Sequence, residues 1–175
     1  SKYLKPNFSS YNSLIAENFF ILKKYEKSKK IYEELSNTGT VYKWFSDRQI
    51  AYILDDQKKQ KLAIKFLTES YKSIEPNVYQ TFDYANFLKD REEYERAIEL
   101  YSLILSKINK DHEIYPKVLD RRGIAYERSS KWNLAEKDLL MSLKISPEVF
   151  IVLITTSFSD KSVCFFKIKL FTLFA

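Results

Sequence analysis

Small residues recur along this chain at a nearly constant spacing, inside segments whose apolar residues follow a helical period. One series occupies positions 28, 63, 97 and 135, which are separated by 35, 34 and 38 residues. A second series precedes it and consists of Ala16, Ala51, Ala85 and Gly123. A large residue follows the first series at positions 32, 67, 101 and 139. A period of this length restricts the fold to a stack of similar units, because one unit alone cannot bury its apolar face.

Each period predicts two antiparallel helices of about a dozen residues. Where they cross, a side chain larger than a methyl group would hold the helix axes apart, so glycine or alanine is expected there. Glycine costs about 1 kcal/mol relative to alanine within a helix, and close packing at Gly123 has to offset that loss. The large residues are expected to fill the gap between one unit and the next. The predicted helices are 9–22, 25–36, 43–56, 59–74, 78–91, 94–108, 116–129 and 132–145.

Composition agrees with an all-α fold, since the chain has only two glycines and four prolines and is 45% hydrophobic. Its net charge of +6 arises from 29 basic and 23 acidic residues that are interspersed along the same segments, which is a weak signal for a nucleic-acid partner. The single cysteine excludes an internal disulfide framework. The spacing of 38 residues between positions 97 and 135 is longer than the others, and the extra residues lie in SKINKDHEIYP. We expect a longer helix followed by a short loop there.

The copies LDRRGIAYERSSKWNLAEKDLLMSLKISP and TFDYANFLKDREEYERAIELYSLIL resemble the tetratricopeptide repeat family. The resemblance covers roughly residues 9–147 and departs from the pattern at Leu119, Arg122 and Ser142, where the family prefers tryptophan, leucine and alanine. It implies an α-solenoid of antiparallel helix pairs that forms a right-handed superhelix. We expect a bacterial fragment whose array fills residues 1–147. Its four units are expected at about 9–42, 43–76, 77–114 and 115–147.

The last 28 residues, 148–175, break the repeat pattern. They are rich in apolar and β-branched residues, and Ser159-Asp160-Lys161 divides them into two pieces that are each too short to span a bilayer. Three interpretations remain: a segment that caps the array, a membrane anchor, or a stretch translated out of frame from AT-rich DNA, which we favour. The first residue is Ser1, so any targeting segment would lie upstream, and the compartment is left open.

Residue types that carry chemistry do not form a recognisable catalytic or metal-binding motif. The single histidine, His112, lies in the polar connection NKDHE, about fifty residues from Cys164. The chain has no glycine-rich phosphate loop, and its acidic pairs fit solvated helix surfaces. Most aromatic residues fall at core positions of the repeat, which favours packing over base stacking. We therefore expect no enzyme activity, no cofactor and no metal.

The family resemblance implies a concave groove that binds a peptide or a partner helix through the first helix of each unit. The positions three before, one after and four after the small residue are Arg48, Tyr52, Asp55, Phe82, Asn86 and Lys89, followed in the last unit by Asp120, Ile124 and Glu127. Polar side chains there can bond an extended peptide, and Tyr52 and Phe82 add apolar area. Any stack of amphipathic helices displays some such residues. The set also lacks the repeated Lys/Asn/Arg clamp of the members that bind chaperone C-termini.

Three functions remain open at this stage. The first is a non-catalytic scaffold that binds a protein or peptide, with no nucleic acid expected and no membrane unless the apolar tail is genuine. The second is the regulatory or targeting arm of a larger enzyme, which further non-repeat domains in the full gene would favour. The third is RNA binding by a helical repeat, which predicts salt-sensitive binding to single-stranded RNA.

Overall fold

The structure is a computed structural model that describes residues 8–147, and this part of the chain is helical and contains no strand. It divides into two compact units, called the first unit and the second unit from here on, with the boundary after Gln80. Each of them is larger than one of the predicted repeat units. The predictions for residues 148–175 lie outside the described residues, and the proposed unit boundaries stay a prediction. The helices are α1 (Phe8–Ile21), α2 (Tyr25–Ser36), α3 (Thr40–Asp56), α4 (Gln60–Lys72), α5 (Val78–Lys89), α6 (Tyr94–Lys107), α7 (Tyr115–Arg128) and α8 (Trp132–Ile145).

The small residues of both series lie in the core, as the period predicts. Gly123 is buried. The other seven have 0% exposure, and they are Ala16, Ser28, Ala51, Ala63, Ala85, Ala97 and Ala135. A Cβ atom on Gly123 would lie 2.7 Å from Leu139 Cγ and 2.9 Å from Leu139 Cδ2. The close approach predicted at this glycine is therefore present between α7 and α8.

Three of the large residues that follow the second small residue, Tyr32, Leu67 and Tyr101, are buried, while Leu139 is half-buried. These residues do more than fill gaps between units. Tyr32 of α2 contacts the next pair, with its ring 6.1 Å from that of Phe45 in α3. Tyr101 of α6 contacts Phe82 in the first helix of its own pair, with ring centroids 6.0 Å apart. Leu139 likewise packs on the Gly123 backbone of its own pair. These side chains therefore also hold the two helices of one pair together.

The turn inside every helix pair places one residue in the left-handed backbone region, although none of the four is glycine. They are Lys23, Lys58, Glu92 and Ser130, with φ between 54° and 65°. Each lies seven residues after the small residue of the first helix. The N–H of the following residue donates to the carbonyl five residues earlier, at 2.8 to 3.0 Å, which is the Schellman arrangement that satisfies carbonyls at a helix end. The four pairs thus turn with the same backbone geometry.

The connections between pairs differ from one another. Asn77 and Gln80 form a reciprocal capping box at the start of α5, with N–H to side-chain oxygen distances of 2.9 and 3.0 Å. In the third period we expected a longer helix and a short loop. The helix α6 is only one residue longer than α4, with 14 residues against 13, and the loop is not short, so the expectation is wrong in part. The connection 108–114 takes up more of the extra length. His112 lies there and accepts from the Ile114 N–H through Nδ1 at 3.4 Å.

Two serines stand where the repeat prefers alanine, and each hydroxyl has a buried acceptor. Ser28 Oγ of α2 donates to the carbonyl of Ala16 in α1 at 2.7 Å. Ser142 Oγ of α8 donates to the carbonyl of Pro116 in α7 at 2.8 Å. A buried hydroxyl is tolerated when it is hydrogen-bonded, so both departures from the pattern still allow close packing.

A buried carboxylate connects three successive helices in the first unit. Asp47 of α3 accepts hydrogen bonds from Ser36 Oγ of α2 at 2.8 Å and from Ser70 Oγ of α4 at 2.6 Å. Lys43, one turn earlier on α3, donates to the same carboxylate at 3.0 Å. Asp47 is 4% exposed, and these donors compensate the removal of its charge from water.

A half-buried guanidinium connects three successive helices in the second unit. Arg122 of α7 donates to both oxygens of Asp138 in α8, at 2.6 and 2.9 Å, and to Ser102 Oγ of α6 at 2.9 Å. Burial opposes the charge of Arg122, but the hydrogen bond and charge of Asp138 raise the pKa of the guanidinium above its ordinary value. The other copies hold apolar residues at the position of Asp138, namely Ile31, Phe66 and Leu100.

Candidate partner-binding faces

The three residues predicted in the first unit lie on one face of α3. Arg48, Tyr52 and Asp55 follow each other at intervals of four and three residues, so they share a helix face. All three are half-buried. The guanidinium carbon of Arg48 lies 6.0 Å from the ring centroid of Phe45, within the range of a cation–π contact. The α3 face, as we call Arg48, Tyr52 and Asp55, therefore combines an aromatic ring with one cation and one anion.

The three residues predicted in the second unit lie on one face of α5, and two of them meet at Tyr101. Asn86 Oδ1 accepts a hydrogen bond from the Tyr101 hydroxyl at 2.7 Å, and the ring of Phe82 is tilted against the Tyr101 ring. Lys89 Nζ lies 2.5 Å from Asp90 Oδ1. Phe82, Asn86 and Lys89, here called the α5 face, are all half-buried. Tyr101 itself was assigned to the core by the repeat pattern, which gave no signal of its contact with Asn86.

The corresponding residues of α7 are more deeply buried than those of α3 and α5. Asp120 and Glu127 are 3% and 7% exposed, while Ile124 is half-buried. Burial raises the pKa of Asp120 above its ordinary value, and the nearby charges of Arg121 and Lys89 lower it in part. The charge of Asp120 also acts on the Tyr101 hydroxyl, whose pKa is raised, mainly by burial. In the second unit, Asn86 therefore bonds to the Tyr101 phenol, and the charge of Asp120 acts on the same hydroxyl.

A shallow pocket in the first unit is the other candidate for a ligand site. Its lining residues are Lys43, Asp47, Phe66, Glu69, Ser70 and Ser73. The carboxylate of Asp47 already accepts from two serines and a lysine. Asp47 therefore has little unused hydrogen-bonding capacity to offer a ligand in this pocket.

Residues 8–147 contain no group of three or more His, Cys, Asp and Glu side chains placed to hold a metal ion. None of the eight helices in that range is long and apolar enough to cross a bilayer. His112 takes part in the local structure of the connection 108–114. Cys164 lies outside the described residues.

No family model matches the chain, and no curated protein is significantly similar in sequence. Among solved structures, 15 chains are significantly similar. One of them, the MamA RS-1 ArsTM double mutant, superposes with a TM-score of 0.60 at 10% identity, over 91% of this chain and 90% of its own. The helix pairs and this likeness together define an all-α helical-repeat protein. Within that class the fold is tetratricopeptide-like, as the spacing of the small residues predicts.

Proposed function

We propose that this protein is a non-catalytic interaction scaffold that binds a peptide or partner protein through the α3 face and the α5 face. The observation that supports this function is the state of these six side chains, all of which are half-buried. They are held by their own helices, and part of each remains accessible to another molecule. They combine aromatic rings, both signs of charge and an amide, which is the mixture that extended peptides require.

The amide of Asn86 is oriented by the structure around it. Because its oxygen accepts from Tyr101, the Nδ2 group supplies the hydrogen-bond donors that remain for a ligand. The hydroxyl that holds it belongs to a side chain with 0% exposure. An oriented donor binds with a smaller entropy loss than a mobile one, so Asn86 is the residue on which we expect affinity to depend most.

The test is affinity capture with quantitative mass spectrometry, using the parent chain and a variant with Arg48→Ala, Asn86→Ala and Lys89→Ala. The matched control carries Lys65→Ala, Lys137→Ala and Asn133→Ala, which also removes two cations and one amide, but from exposed positions on second helices. We expect the first variant to lose partners that the control retains. Equal recovery by both variants, with unchanged melting curves, would reject the two faces as the binding surface.

A further inference from the structure

The turns inside the two helix pairs of the first unit carry a dense group of lysines. Residues 21–30, around the α1–α2 turn, contain five lysines and one glutamate, and residues 56–65, around the α3–α4 turn, contain four lysines and one aspartate. Nine lysines against two acids give the two segments a net charge of +7, more than the +6 of the whole chain. Lys29 is paired with Glu33. The other eight are exposed, and we call them the lysine edge: Lys23, Lys24, Lys27, Lys30, Lys58, Lys59, Lys61 and Lys65.

A direct contact places the two turns beside each other. The hydroxyl of Tyr25, at the start of α2, donates to the carboxylate of Asp56, at the end of α3. Lys23 and Lys58 occupy the same left-handed corner of their turns. The lysines at both turns therefore lie at one edge of the first unit, and Tyr25 already engages one of the two acids among them.

The fold does not account for this charge. In the second unit the equivalent residues 90–99 contain five acids and two arginines, and residues 128–137 contain three basic residues and one acid, although the turns have the same backbone geometry. Lys27 and Lys61 also lie in the first turns of α2 and α4, where the helix dipole disfavours a cation. Since like charges at one edge repel each other, the lysine edge indicates an anionic partner.

The kinds of residue at this edge favour a lipid surface over a nucleic acid. Every cation in the two segments is a lysine, whereas arginine is the residue that forms bidentate bonds to the phosphates of nucleic acids. The most exposed apolar side chains beside the lysines are aliphatic, since Ile21 and Leu22 are 69% and 61% exposed and Leu62 is 51% exposed. Bases stack on aromatic rings, while exposed aliphatic side chains next to lysines are typical of segments that lie on anionic membranes.

We propose that the lysine edge binds the surface of a membrane that contains anionic lipids. The ammonium groups contact the lipid phosphates, and Ile21 and Leu22 enter the boundary between headgroups and acyl chains. Association of this kind needs no membrane-spanning helix, so it revises the expectation that a membrane partner would require the apolar tail. The inference goes beyond the scaffold function and does not depend on the α3 face or the α5 face.

The test measures binding of the full chain to vesicles of phosphatidylcholine alone, and to vesicles of equal parts phosphatidylcholine and phosphatidylglycerol, by flotation over a range of lipid concentrations. The lysine-edge variant combines Lys23→Gln, Lys24→Gln, Lys58→Gln and Lys59→Gln. The matched control removes four charges from exposed lysines outside the two turns, by Lys72→Gln, Lys107→Gln, Lys110→Gln and Lys117→Gln. A third variant combines Ile21→Gln and Leu22→Gln. All replaced side chains are exposed, so the variants should fold like the parent. Binding to polyuridine RNA is measured in parallel.

We expect the parent to bind the anionic vesicles more tightly than those of phosphatidylcholine alone. The lysine-edge variant should lose about 25-fold or more in affinity for the anionic vesicles, because each lysine at such a surface contributes about fivefold and at least two of the four should reach it. The matched control should stay close to the parent. Replacing Ile21 and Leu22 should cost about tenfold on vesicles and little on RNA.

Two results on vesicles would overturn the inference: equal affinity of the lysine-edge variant and the matched control, or equal binding of the parent to both kinds of vesicle. RNA binding that only the lysine-edge variant loses, with its vesicle binding unchanged, would assign the edge to nucleic acid and would also overturn it. Each of these results leaves the scaffold function standing, because that function is tested by partner capture on the α3 face and the α5 face.

Discussion

In each of the two compact units, one charged side chain connects three successive helices, and the sign of its charge differs between the units. In the first unit the central group is the Asp47 carboxylate, which serine and lysine donors surround. In the second it is the Arg122 guanidinium, bound to Asp138 and Ser102. Both central residues lie on a first helix and reach the helices before and after it. The repeat thus determines where helices contact each other. The polar interactions at each contact depend on a local group of side chains with complementary charges and hydrogen-bonding groups.

The largest effect is expected from replacing Arg122 in the second unit while Asp138 is kept. Arg122→Leu restores the leucine of the repeat pattern but leaves Asp138, which is 5% exposed, buried without its cation. Breaking a buried pair in this way costs about 3–5 kcal/mol, measured as a loss in the free energy of unfolding by urea titration followed by circular dichroism. Arg122→Leu with Asp138→Leu should recover most of the loss. If the double variant is as unstable as Arg122→Leu, the loss of stability does not come from breaking the Arg122–Asp138 pair.

A smaller loss is expected from crowding the contact between α7 and α8. Gly123→Leu places atoms where even a Cβ would lie 2.7 Å from Leu139 Cγ, and overpacking of this kind costs about 1–3 kcal/mol. The same change in a Leu139→Ala background should cost less, because the clashing side chain is gone. A melting temperature equal to the parent's would show that the helices do not approach closely at this glycine.

A gain is expected at the turns, where the two units do not differ. Lys58 has a φ of 63°, a conformation that costs a side-chain-bearing residue about 1–2 kcal/mol and glycine almost nothing. Lys58→Gly should therefore raise stability by about 1 kcal/mol or slightly less, since glycine also gives the unfolded chain more freedom. The control is Lys59→Gly, where φ is −99° and glycine should bring no gain. Equal thermal shifts in the two variants would contradict the assignment of strain to Lys58.

The smallest effect concerns pH. Because burial raises the pKa of Asp120 above the ordinary 3.8, the folded chain binds this proton more tightly than the unfolded chain does. Stability from this group therefore increases as pH falls through the folded pKa, and the ionised form lowers stability at neutral pH. Asp120→Asn should raise the melting temperature at pH 7, and the difference should vanish below about pH 3, where the acid is protonated in both states. A difference that is constant with pH would exclude this origin.

Much of the fold follows from the spacing of small residues. The buried state of Ala51 and Ala85, and the approach at Gly123, are confirmed, because helix crossings impose a size limit that is visible in one sequence. α3 begins three residues earlier than predicted, directly after Gly39 with its φ of 149°. The pattern also could not anticipate why Ser28 is tolerated, since its acceptor is a main-chain carbonyl twelve residues away.

The candidate site was less accessible to prediction. The spacing places Asn86 and Lys89 on one helix face, but it does not reveal that Tyr101 orients the amide of Asn86. Nor does it show that Asp120 is buried while the equivalent Arg48 and Phe82 are only half-buried. These properties depend on contacts between helices that are separated in sequence. The role of these residues in binding stays a prediction.

The turn between the helices of each pair has a consequence for how such proteins diverge. Its shape is the same at Lys23, Lys58, Glu92 and Ser130, and the same main-chain hydrogen bond accompanies the left-handed corner each time without a glycine. Selection on this corner then acts on backbone geometry and leaves the side chain free to change. A protein built this way can exchange most of its residues while its architecture persists, and shape outlasts recognisable ancestry in the amino-acid sequence.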